Sequence, residues 1–155
     1  MVWFWIITSI VGLMAIGQIF SILASRKADM LLKKMERQYE AVIEVLLANA
    51  YLKDDNWEAQ DEAKLVQDCL QMLKPHIESL LAYINTVEEA DVKITYPTKY
   101  FSNIASFADS LFQKRHKHKE TPLTQAEKEE MYANLQDALT ADVMKRRLYL
   151  SVGRL

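Results

Sequence analysis

The sequence predicts an all-α protein: a single N-terminal transmembrane helix that continues into a small up-and-down bundle of about four helices. Three observations carry that reading. Val2 to Ala24 is an uncharged hydrophobic run. Beyond it, apolar residues recur at alternating three- and four-residue steps, and no candidate strand is longer than Val92 to Thr95. Glycine is confined to Gly12, Gly17 and Gly153, so the body between the last two lacks the residue that tight strand turns require.

The N-terminal run reads VWFWIITSIVGLMAIGQIFSILA, roughly 23 residues, long enough to cross a hydrocarbon core with some tilt. Trp3 and Trp5 flank Phe4 as an interfacial aromatic belt, and Arg26 and Lys27 close the other border. A cleaved signal peptide is disfavoured, because no positive charge precedes the run and Ile22 stands where a cleavage site needs a small side chain. The division expected is a transmembrane anchor over residues 1–25 and a helical-bundle domain over 26–155. Arg26, Lys27, Lys33, Lys34 and Arg37 all follow the span. The positive-inside bias therefore puts the body in the cytoplasm and Met1 outside a cell inner (plasma) membrane. An organellar inner membrane with the body in the matrix gives the same pattern.

Gly17, Ser21, Ala24 and Ala28 recur at helical spacing beside Gln18 and Ser25. Such a face lets two helices approach closely and hydrogen-bond in lipid, so Gly17, Gln18, Ser21 and Ala24 are the candidates for anchor self-association.

The same helix continues past the lipid border on the seam Leu32, Met35, Tyr39, Val42 and Leu46 and ends at Tyr51 to Lys53, before the capping group Asp54, Asp55 and Asn56. A second helix carries Val66, Leu70, Leu73, Ile77, Leu80, Ile84 and Val87 in four-three alternation. Pro75 removes a backbone donor inside it, but the unbroken register predicts one kinked helix rather than two. Glu88, Glu89 and Asp91 oppose the dipole and mark the stop. After Tyr96-Pro97, a third helix presents Phe101, Ile104, Ala108 and Leu111 with Tyr100 and Phe107 alongside. Thr124 and Glu127 form a capping box for a fourth. That helix presents Met131, Leu135, Ala138 and Leu139, and Thr140 to Asp142 offers a second cap before a last segment with Val143, Leu148, Tyr149 and Leu150.

Composition excludes several functions. Without glycine, Rossmann, P-loop and nucleophile-elbow sites cannot be built. A net charge of -2 makes nucleic acid a poor partner. The single cysteine, Cys69, lies on the second seam and suits core packing in a reducing compartment. His76 is a lone imidazole, and His116 and His118 lack a completing metal set. The acidic cluster Asp54, Asp55, Glu58, Asp61 and Glu62 lacks the glycine turn of a calcium loop. No arginine is followed four to six residues later by a histidine, the pairing with which small helical ribonucleases cleave RNA. No catalytic residue, cofactor or metal is expected, and the chain is not expected to be an enzyme.

Lys114, Arg115, Lys117 and Lys119 end the third helix and are the candidate contact for anionic lipid or a protein partner. The expected function is a membrane-anchored interaction and assembly module with the bilayer and further copies of itself as partners. The alternative is a pore-forming effector whose anchors line a channel and whose bundle acts as sensor or gate. With Thr8, Ser9 and Gln18 the only polar side chains before the last turn of the span, such a pore would be narrow or hydrophobically gated.

Overall fold

The computed structural model describes residues 1–53, 59–87, 91–118 and 123–152. They form four helices and no strand: α1 (Val2–Lys53), α2 (Ala59–Thr86), α3 (Ser102–His118) and α4 (Gln125–Val152). The expected caps Asp54, Asp55 and Asn56, and the stop residues Glu88 and Glu89, lie outside the described residues.

α1 is one unbroken rod of 52 residues, about 78 Å at the helical rise. Its apolar N-terminal third has no cover, whereas Ala28, Leu32, Met35, Tyr39, Ile43 and Leu47 are buried in the bundle. This corrects the expected seam at one end: Ile43 is buried and Val42 only half-buried, while the Leu46 side chain lies outside the described residues. A strict three-four repeat drifts by roughly 20° per heptad on a straight helix, and two successive four-residue steps from Tyr39 re-aim the stripe at the core.

α2 packs on every other helix. Val66, Leu70, Leu73, Ile77, Leu80 and Ile84 are buried as expected, Val87 is only half-buried just past the end of the helix, and Leu65, Cys69 and Leu81 widen the stripe to serve two neighbours. Pro75 is accommodated inside a single helix, where Ser79 Oγ donates to the Pro75 carbonyl at 2.9 Å. The flanking core residues Leu73 and Ile77 hold the register across the missing donor.

The capping box forms as read. Thr124 N–H donates to Glu127 Oε2 at 2.9 Å, and Glu127 N–H donates to Thr124 Oγ1 at 3.3 Å. The second cap does not form, and α4 runs through Thr140 to Asp142 unbroken. The physical reason is competition: Thr140 Oγ1 donates back to the Gln136 carbonyl, and the Asp142 carboxylate is taken by Tyr39 and Arg146. Of the apolar residues expected in a separate last segment, Val143 is buried in α4, whereas Leu148 and Tyr149 are exposed at 66% and 70%.

The helices alternate in direction. α1 leaves its apolar end, α2 returns toward it until Tyr83 OH donates to the Ala24 carbonyl at 3.3 Å, and residues 91–101 lead away again. α3 then climbs back to the same end and α4 descends, where Arg147 meets Glu62 at 2.6 Å near the start of α2.

Candidate functional site

Two polar arrangements bind the bundle to α1. The first is a stripe on α1, Ser21, Ser25, Asp29 and Glu36, spaced to fall within roughly 80° of one another around the helix. It receives the connector between α2 and α3. Ser21 Oγ donates to the Asp91 carbonyl, and Lys93 N–H donates to Ser25 Oγ at 3.1 Å. Asp29 accepts from Thr95 N–H at 2.9 Å, Thr95 Oγ1 at 2.6 Å and Tyr96 N–H at 3.0 Å. Glu36 accepts from Tyr96 OH at 2.6 Å and Lys99 N–H at 2.8 Å.

Spacing explains the match. Eight helical residues from Ser21 to Asp29 rise about 12 Å, and four extended residues from Asp91 to Thr95 span about 13 Å. Extended backbone alternates its faces, so Val92 is buried and Ile94 half-buried while Asp91, Lys93 and Thr95 face outward. Backbone amides that have neither a helix nor a sheet to pair with are thereby satisfied by α1 side chains. Donating its hydroxyl bond to the Glu36 carboxylate, more than burial, raises the Tyr96 phenol above its ordinary value.

The second arrangement lies one turn further along α1. Tyr39 is fully buried, and its hydroxyl donates to Asp142 Oδ2 at 2.6 Å. Arg146 Nε donates to the same oxygen at 3.0 Å, and its other arm reaches Tyr100 OH. The Tyr39 and Tyr100 rings are 4.7 Å apart, with Phe101 at 5.9 Å from Tyr39. Burial, then the bond to Asp142, pushes the Tyr39 phenol far above its ordinary value, so it is a fixed donor rather than an acid-base group. The carboxylate, the guanidinium and two phenols satisfy one another, which makes this a lock between α1, α3 and α4.

The structure separates the sequence-derived candidates. Trp3 and Trp5 are exposed at the far end of α1, and Arg26 and Lys27 are exposed at the start of the bundle, with Lys27 Nζ 4.4 Å from the Tyr83 ring centroid. Gly17 and Gln18 are exposed, whereas Ser21 and Ala24 are engaged by Asp91 and Tyr83 of the same chain. Lys114 is exposed and lies 4.0 Å from Glu127. The backbone of Arg115 and Lys117 belongs to α3, and Lys119 lies outside the described residues.

Cys69 is buried, and burial pushes its thiol up to about 11. Among the described residues no group of His, Cys, Asp and Glu side chains is arranged to hold a metal ion. A cleft of about 190 Å³ between α2, α3 and α4 is lined by Glu78, Leu81, Asn85, Leu111, Leu123 and Lys128. The α1 polar stripe and the Tyr39 lock were not singled out from sequence. The stripe's sequence signal is four polar or acidic residues at helical spacing on the flank of an apolar seam, and the lock's is Asp142 and Arg146 four residues apart on one helix. Comparison with protein-family models, with curated proteins and with solved structures finds no match.

Proposed function

We propose that this chain is a membrane-anchored helical interaction and assembly module, with its bundle held against the cytoplasmic face of a bilayer and Met1 on the opposite side. One observation carries the reading: α1 is a single helix whose apolar third is wholly uncovered while its continuation forms the bundle core. An apolar helix of that size left in water would be an extreme exposed patch, and lipid removes it. The hydroxyls within it suit lipid, since Thr8 and Ser9 donate to the Phe4 and Trp5 carbonyls at 2.7 and 2.8 Å and carry no unmet donor.

On this reading the lipid border falls beside Ser21 rather than after Ser25. The connector backbone at Asp91 is polar and cannot lie in hydrocarbon. The remaining span, Val2 to Phe20, rises about 28 Å, close to the roughly 30 Å hydrocarbon thickness. Because Ser21 and Ala24 are engaged by their own bundle, self-association of anchors falls to Gly17 and Gln18. The polar stripe and the Tyr39 lock make anchor and bundle one rigid body, suited to presenting a fixed surface at a fixed height.

Alkaline carbonate extraction tests the anchor, and reporters fused at each end test the orientation. The chain is expected in the membrane pellet with its C-terminal reporter in the cytoplasm. Release into the carbonate supernatant, or a C-terminal reporter accessible from outside, overturns the reading.

A further inference from the structure

The basic end of α3 points back toward the apolar end of α1. Leu111 shares the cleft with Leu81 and Asn85, and two residues from Leu81 Tyr83 bonds to Ala24, so Leu111 lies near the level of the first bundle residues of α1. Lys114 faces Glu127 in the first turn of α4. From Leu111 to His118 the helix climbs about 10 Å further. That rise carries Lys114, Arg115 and Lys117 to the height of Ser21 to Arg26.

We propose that the membrane-facing end of the bundle binds anionic lipid headgroups through Lys114, Arg115 and Lys117 on α3, together with Arg26 and Lys27 on α1. The proposal rests on the anchor reading. Charge and position support it together. Arg26, Lys27 and Lys114 are exposed at this end, and the backbone of α3 runs on through Arg115 and Lys117 toward the level where headgroup phosphates would lie. Glu127 is the acidic neighbour of Lys114, but a 4.0 Å pair exposed at 59% and 38% is screened by water and leaves the ammonium free to exchange partners. Two further carboxylates lie near this end: Asp29 is occupied by Thr95 and Tyr96, and Asp91 is exposed beside Ser21.

The test uses the full chain reconstituted in phosphatidylcholine vesicles containing spin-labelled phosphatidylcholine or spin-labelled phosphatidylglycerol. Lipid slowed by the protein surface gives a motionally restricted spectral component. The expected result is a larger restricted fraction for phosphatidylglycerol, with selectivity lowered by up to roughly five-fold per charge removed in the Lys114→Gln, Arg115→Gln, Lys117→Gln variant. Lys145→Gln, near the far end of α4, should leave selectivity unchanged. Equal restriction of the two lipids, or selectivity that survives the triple substitution, overturns the proposal while the anchor stands. No restricted component with either lipid overturns the anchor and this proposal with it.

Discussion

Removing one oxygen from Tyr39 isolates the lock between α1, α3 and α4. In Tyr39→Phe the ring remains against Tyr100 and Phe101, so packing is retained and the lost element is the bond to Asp142 Oδ2 at 2.6 Å. A hydrogen bond to a charged acceptor contributes about 1.5 to 3 kcal/mol. Asp142 keeps Arg146 at 3.0 Å, which places the cost toward the lower end of that range. For a chain of this size each kcal/mol moves the melting temperature by roughly 2 to 4 °C, so a drop of about 3 to 8 °C is expected in detergent melts followed by circular dichroism. Tyr149→Phe is the control, because Tyr149 is exposed. A double-mutant cycle with Asp142→Asn should be non-additive, since the two groups share one interaction. A Tyr39→Phe melt within about 0.5 kcal/mol of the parent, or strict additivity in the cycle, refutes the lock.

Leu80→Ala should cost about 2 to 5 kcal/mol because Leu80 is fully buried, while the exposed Ser79→Ala, which loses only a bond to the Pro75 carbonyl, should cost far less; indistinguishable melts would remove the α2 seam. Glu78 predicts an acid limb. The Tyr132 hydroxyl, opposed by burial and aided by Lys128, holds its carboxyl below the ordinary range. A depressed folded value contributes stability above the unfolded carboxylate range and loses it as the pH falls through the folded value. Glu78→Gln should therefore be less stable than the parent near neutrality, and the gap should close between about pH 5 and 3; a constant gap in melting temperature sinks this assignment. Gly17→Leu should lower oligomer mass in detergent, with Ile10→Leu unchanged. A Cβ at Gly17 meets nothing within 4 Å in its own chain, so an effect there reports contact between copies, and unchanged mass removes this face as an association surface.

The parts of the fold legible in the sequence are those with a period. The α2 seam from Val66 to Ile84 is buried throughout, and the Thr124–Glu127 box needs only two residues at fixed spacing. Where two local signals competed, tertiary partners decided. Asp142 could cap a helix or serve Tyr39 and Arg146, and the buried partners won. The polar stripe on α1 was illegible for a different reason. Nothing in the sequence marks Asp29 and Glu36 out from other acidic residues, and their partners are mainly backbone amides of a connector with no pattern of its own. Ser21 and Ala24 read as small residues for a neighbouring helix, but the same smallness admits the chain's own connector and Tyr83. For the basic run the sequence supplies the charge, and only the return of α3 toward the apolar end supplies its height.

The central claim, that the apolar third of α1 lies in lipid, is tested most directly by cysteine accessibility in sealed vesicles. Cys69 is buried with its thiol raised to about 11, so it stays silent as a native background. Leu13→Cys and Ile16→Cys sit in the apolar third, and Met30→Cys sits beyond the border; all three positions are exposed within the chain. With a water-soluble maleimide presented to both faces, Met30→Cys should react while Leu13→Cys and Ile16→Cys remain unmodified, because a thiolate does not form in hydrocarbon. Modification of Leu13→Cys and Ile16→Cys as fast as Met30→Cys would put that helix in water and contradict the account.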